Sequence, residues 1–77
     1  MDVAATVDAR GTVCPIPIIR AAQRIQHIGV GEILEVLATD EAILFDLPAW
    51  CRATGHVYLG IETNPPVYRG LVRRAHA

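Results

Sequence analysis

The chain has no apolar run approaching the length of a membrane span, and its opening Met1-Asp2-Val3-Ala4-Ala5-Thr6-Val7-Asp8 has no basic stretch leading into an apolar one. The first absence argues against a membrane helix, the second against a secretory signal. A basic excess is missing too. The formal net charge of -1 gives no electrostatic footprint for nucleic acid, so no nucleic-acid partner is expected. Cysteine is sparse, and two residues 37 positions apart read as reduced thiols rather than a disulfide framework. No paired CxxC or HxxxH spacing exists, and His27, His56 and His76 are dispersed. Neither a structural zinc site nor another cofactor is expected. These absences together place the protein in the cytoplasm.

What is present is apolar residue in quantity. At 52% hydrophobic and 19% charged, the 77 residues can bury enough surface to offset chain entropy, which predicts one compact domain over 1–77. Val3, Ala5 and Val7 alternate as in a half-buried strand, and Asp8, Arg10 and Gly11 break the pattern. Ile18, Ala21, Ala22, Ile25 and Ile28 then recur at helical spacing, opposite Arg20, Gln23, Arg24 and His27, and Gly29 and Gly31 end the helix. Glu32 to Ala38 reads as a second strand with Leu34, Val36 and Ala38 on one face and Ile33, Glu35 and Leu37 on the other.

Thr39 and Asp40 offer caps for a helical turn, and Asp46 a cap for a fresh helix with Pro48 in its first turn, so the second helix is expected to be broken. It should stop at Gly55. His56 to Glu62, with Val57, Leu59 and Ile61 inward, and Val67 to Arg74 form a hairpin about Asn64-Pro65-Pro66. The order β-α-β-α-β-β predicts an α+β fold, a two-layer α/β sandwich whose four-stranded mixed sheet carries two helices on one face. The other face would expose Ile33 and Leu37 as a patch suited to weak self-association or partner docking.

The chemistry concentrates at Cys14-Pro15-Ile16-Pro17. Prolines fit a first helical turn, where the missing amide hydrogen has no partner, and a residue before proline is pushed toward extended backbone. Cys14 therefore sits at or near the N-cap, where the helix dipole would favour a thiolate able to attack electrophiles, carry sulfur or bind metal. Cys51, mid-helix beside Trp50 and Leu47, reads as core packing, with a secondary reactive thiol as the alternative. Arg20 and Arg24 are a solvated face or a docking surface for an acidic partner. Arg69, Arg73 and Arg74 with Tyr68 are a basic strand, and Asp8, Asp40 and Asp46 suit turns or caps. His27 or His56 could serve a Cys-His pair only if the fold carried one to Cys14.

In that order, Asp8-Ala9-Arg10-Gly11, Cys14-Pro15-Ile16-Pro17, Asp46-Leu47-Pro48-Ala49-Trp50-Cys51 and the strand from Tyr68 to Arg73 resemble the landmarks of the TusA/SirA family of small sulfur carriers, including its CPxP signature. The resemblance runs from about Val7 to Arg74. It implies the same β-α-β-α-β-β sandwich, and a Cys14 that carries sulfane sulfur as a persulfide framed by Pro15 and Pro17. It further implies a cysteine desulfurase or rhodanese-type donor, and a DsrE-type or other thiol acceptor, in a relay serving tRNA thiolation, cofactor assembly or sulfur oxidation. Asp40 is carried over as a docking residue. Ile16 stands where many relatives have a polar or acidic residue, which points to a different partner preference. Two other functions compete: a redox sensor in which Cys14 condenses with Cys51 or a partner thiol, and a small RNA-binding module using the basic strand.

Overall fold

The computed structural model describes residues 2–77. Its elements are β1 (Ala5–Ala9), α1 (Ile16–Arg24), β2 (Ile33–Ala38), α2 (Ile43–Thr54), β3 (Val57–Asn64) and β4 (Val67–Arg73). The strands lie in the order β1-β2-β4-β3. β1 runs parallel to β2, and β4 is antiparallel to both β2 and β3. This is the α+β sandwich read from the sequence.

Strand alternation and helical periodicity meet in one core. Val7 and Ala9 of β1, Leu34, Val36 and Ala38 of β2, and Val72 of β4 face the helices. Opposite them α1 contributes Ala21, and α2 contributes Ile43, Leu47 and Cys51 at four-residue steps. Leu47 is fully buried and packs directly over Gly70, where a Cβ would collide with its Cδ2. Glycine there is a matter of space, not of backbone conformation. Among the described residues no helix is long and apolar enough to cross a membrane.

Four details differ from expectation. First, α1 is shorter: after Arg24 the chain tightens into a 3₁₀ turn, Ile25–His27, and Ile28 is already extended. The left-handed turn that follows belongs to Gly31, at φ +90°, and not to Gly29. Second, α2 is one continuous helix with Asp46 in its first turn and Pro48 inside it. Pro48 removes one internal hydrogen bond, while Ile43, Leu47 and Cys51 stay buried on both sides of it, so packing carries the helix past the proline.

Third, a bulge between Tyr58 and Gly60 shifts the register of β3 against β4. One extra residue inverts the alternation, so Ile61 packs on the core while Val57 is exposed. Fourth, the open face is not an apolar patch. Ile33 is buried, Leu37 is half-buried, and a polar chain crosses all four strands between and beyond them. Thr6 Oγ1 donates to Glu35 at 2.8 Å, Arg69 pairs with Glu35, and its other arm reaches Glu62 at 3.4 Å. Glu35, which shares that face with Ile33 and Leu37, makes it polar.

Candidate functional site

Parallel pairing of β1 and β2 brings the loops that follow both strands to the same end of the sheet, and Cys14 lies in the first of them. Two bonds sew these loops together. Gly11 N donates to Thr39 Oγ1 at 2.9 Å, and Cys14 N donates to Asp40 Oδ2 at 2.9 Å. The second oxygen of Asp40 accepts from Ala42 N at 3.0 Å. With both oxygens occupied by backbone amides, Asp40 is held below the usual carboxylate range, first by Ala42 and then by Cys14. Its carboxylate fixes the Cys14 loop to the start of α2.

The proline frame is displaced by one residue from the expected one. Pro15 occupies the cap position, Pro17 is buried in the first turn, and Cys14 stands one residue further out. The Cys14-Pro15 peptide bond is cis. Neither proline has an amide hydrogen, and the remaining first-turn amides are taken: Ile16 N by Val13 O at 2.9 Å, Ile18 N and Ile19 N by Pro15 O at 3.1 Å. The positive end of a helix is chiefly its unsatisfied N–H groups. Here none is left over for the sulfur.

The charges that do reach the sulfur are negative. The carboxylate of Asp46, in the first turn of α2, acts most strongly on the Cys14 thiol, and with some desolvation and the charge of Asp40 it pushes the thiol above its ordinary value. The sequence predicts a dipole-stabilised thiolate; the carboxylates at this end of the sheet act the other way and favour the thiol. Asp46, read from the sequence as a cap, is the carboxylate that acts most on the Cys14 thiol. Its place in the Asp46-to-Cys51 landmark was the one signal pointing to it.

Cys14 is exposed, and beyond the two carboxylates the segments beside it carry exposed apolar side chains. Val13 (67% exposed), Ile16 and Ile19 flank it on the α1 side, while Leu44 and Phe45 (77%) project from the first turn of α2. Nearby charges are largely spent on each other. Arg10 forms a two-pronged pair with Asp8, both bonds 2.8 Å, which holds Asp8 down at about 2. Arg20 donates to the Asp8 carbonyl at 3.1 Å. Arg20 and Arg24 line an open groove of about 390 Å³ with Gln23, His27 and the outer edge of β1.

Cys51 is elsewhere in character. It is 2% exposed within the core cluster, and burial raises its thiol to about 11. The histidines do not join Cys14 either. His56 stacks on His76 with centroids 4.5 Å apart, in a cavity of about 500 Å³ at the C-terminal ends of both helices, also lined by Trp50 and Arg74. Of the basic strand, Arg69 is committed to Glu35 and Glu62, and Arg74, beyond the end of β4, donates to the carbonyls of Gln26, Ile28 and His76. Little of that charge is free for phosphate.

Comparison with known proteins agrees with this geometry. The family model described as sulfurtransferase TusA matches residues 5–74. Among curated proteins, the chain is 41% identical over 68 residues to YrkF of Bacillus subtilis, named as a candidate sulfur carrier protein; the match covers 88% of this chain and 37% of YrkF. The chain thus spans little more than a third of that longer relative. Two candidate sulfur carriers match along nearly their whole length. One, from Archaeoglobus fulgidus, is 34% identical over 88% of this chain and 93% of its own. The other, from Halobacterium salinarum, is 38% identical over 95% and 91%. The crystal structure of a SirA-like protein from Desulfitobacterium hafniense superposes with a TM-score of 0.79 at 27% identity, covering 94% of this chain and 99% of that one.

Proposed function

The chain belongs to the TusA sulfurtransferase family, and from that premise we propose that it is a cytoplasmic sulfur carrier whose Cys14 accepts sulfane sulfur as a persulfide and hands it to an acceptor protein. The observation that carries this reading is the setting of the thiol. Cys14 is exposed on a rim at the end of the parallel strands that also carries the exposed apolar side chains of Val13, Ile16 and Phe45. A thiol on a rim serves a substrate delivered on another protein's arm better than a free small molecule, which would need a pocket. The apolar rim gives that partner surface to bury, and Ile16 adds to it where a charge would otherwise select. The donor is a cysteine desulfurase or a rhodanese-type protein. The acceptor is a DsrE-type or other thiol protein, in a relay toward tRNA thiolation, cofactor sulfur or sulfur oxidation.

Transfer is attack by the Cys14 sulfur on the outer sulfur of a donor persulfide. One S–S bond forms, one breaks, and the donor leaves as a thiol, so no external oxidant or reductant is consumed. Pro15 and Pro17 frame the loop, and Asp40 anchors it. Cys51 belongs to packing, because a core thiol can meet Cys14 only if α2 unpacks. That weighs against the intramolecular sensor. The experiment is mass spectrometry after incubation with a desulfurase and cysteine. A gain of one sulfur, about 32 Da, is expected on Cys14 and is lost in Cys14→Ser. A gain that survives Cys14→Ser, or that maps to Cys51, overturns the assignment.

A further inference from the structure

Beyond β4, residues 74–77 run across the C-terminal ends of both helices, at the opposite end of the helices from Cys14. Helix ends leave carbonyls without partners, and this segment takes them. Arg74 donates to the carbonyls of Gln26 and Ile28 after α1, and His76 Nε2 meets the carbonyl of Thr54, the last residue of α2, at 2.7 Å. Arg74 Nε also donates to the His76 carbonyl at 2.9 Å, which holds the segment in shape. Half-buried His56, ahead of β3, stacks on His76 with 4.5 Å between centroids and 9° between planes, and its centroid lies 5.6 Å from that of Trp50. These groups enclose the cavity of about 500 Å³.

Hydrogen bonding fixes where the protons of this pair reside. A carbonyl only accepts, so His76, which meets Thr54 O through Nε2 and Ala77 O through Nδ1 at 3.0 Å, carries hydrogen on both ring nitrogens and is an imidazolium. An amide only donates, so His56, whose Nδ1 lies 3.2 Å from the Ala75 N, is neutral with its hydrogen on Nε2. A second proton on His56 would set N–H against N–H and lay one imidazolium flat on another, with Arg74 as a third cation in the same cavity wall. Among the described residues no acidic side chain lines the cavity to offset them. The α1 side presents Ala22, Ile25 and Gln26 there, and α2 presents Trp50 and Thr54.

We propose that residues 74–77 are a proton-gated strap, closed over the Trp50 cavity while the stacked pair holds one proton, on His76, and released when His56 takes a second. The device is independent of what Cys14 carries. Burial, with the charges of His76 and Arg74, holds His56 below the ordinary 6.5; its contribution to the closed strap is present above 6.5 and lost as pH falls through the lower, folded value. His76 has the opposite sign. The Ala77 and Thr54 carbonyls hold it above 6.5, so its contribution is full below 6.5 and fades as pH rises through the higher value. The strap is therefore tightest around 6.5. Acid opens it further than base does: a proton lost from His76 removes one of two carbonyl bonds, whereas one gained by His56 removes the acceptor of Ala75 N and adds charge to the stack. Release bares the Trp50 ring and unties the carbonyls through which one segment links the ends of α1 and α2.

Trp50 is the only tryptophan, so quenching of its fluorescence by acrylamide, an uncharged probe, reads the strap across pH. In wild type the quenching constant should be smallest around 6.5 and rise in acid with a midpoint below 6.5. Uptake of one proton favours the open strap by up to about tenfold per pH unit. His56→Asn keeps an oxygen that accepts from Ala75 N and does not titrate, so the acid rise should be lost from it. No acid rise in wild type, or a rise of equal size in His56→Asn, overturns the proposal. Nitrogen-15 spectra of the histidine rings in wild type need no variant. At pH 6.5 His56 should show hydrogen on Nε2 alone and His76 on both nitrogens. A charged His56 or a neutral His76 at that pH overturns the proposal even if His56→Asn does not fold.

Discussion

Cys14 and Cys51 have the same side chain and the same direction of pKa shift, for opposite physical reasons. Cys51 is pushed up because it lies out of water among Ile43, Leu47 and their neighbours. Cys14 is exposed and is pushed up chiefly by the carboxylate of Asp46. Only one of these is reversible in the folded protein. A partner that covers the rim or brings a cation to Asp46 and Asp40 changes the setting of Cys14, whereas nothing short of opening the core changes that of Cys51. The cause of a shifted pKa, more than its size, separates a chemical thiol from a packing one.

The comparison breaks most visibly in native-state labelling. Iodoacetamide should modify Cys14 in the folded protein at its own thiolate-limited rate, while Cys51 reacts only from opened states. With ordinary domain stability those states are populated at about one part in a thousand or less, so peptide mapping should find Cys51 labelled at least about a thousandfold more slowly. Denaturant should erase the difference. Comparable labelling of both residues in buffer would mean that the core position of Cys51 does not isolate it.

The next effect is on stability. Cys51→Ala removes a buried sulfur that acts as a small hydrophobe, at an expected cost of about 1–2 kcal/mol. Cys51→Ser places a hydroxyl at the same site and should cost about 1–3 kcal/mol unless it finds a partner. Urea midpoints measure both. Sulfur loading on Cys14, assayed below the transition, should be unchanged in either variant. A loading defect without a stability defect would make Cys51 a participant in transfer.

The two thiols also mark what was legible in the sequence. Periodicity at 3.6 and 2 residues was enough for the element order and for most of the core, because Val7, Leu34, Val36, Ala21 and Leu47 each obey a local rule. Where the reading failed, the deciding contact was distant or the rule local but misapplied. The bulge in β3 depends on how Tyr58 and Gly60 meet β4, which no alternation within β3 reveals. Asp46 looked like a cap because Pro48 follows two residues later; burial of Leu47 between them is what keeps α2 whole.

The thiol's environment was hidden for the same reason. That Cys14 precedes a helix is written in its prolines. That the helix has no amide to spare follows from bonds to Val13 and Pro15, and that the acidic start of α2 meets the Cys14 loop follows from the parallel pairing of β1 with β2. Exposed Val13 and Phe45 were missed because a sequence reading assigns apolar residues to a core by default.

The smallest predicted effect tests the tether that sets Cys14 apart. Asp40 bonds the Cys14 and Ala42 amides only as a carboxylate, and both bonds lower its folded pKa beneath the ordinary 3.8. Its contribution is therefore present above that ordinary value and is lost as pH falls through the lower, folded one. The amide resonances of Cys14 and Ala42 should move together with a single midpoint below 3.8, while that of Cys51 stays still. Asp40→Asn has one acceptor oxygen in place of two, so one amide must lose its partner at every pH, and the shared titration should vanish from both. Independent midpoints for the two amides in wild type would mean that Asp40 does not link the Cys14 loop to the start of α2.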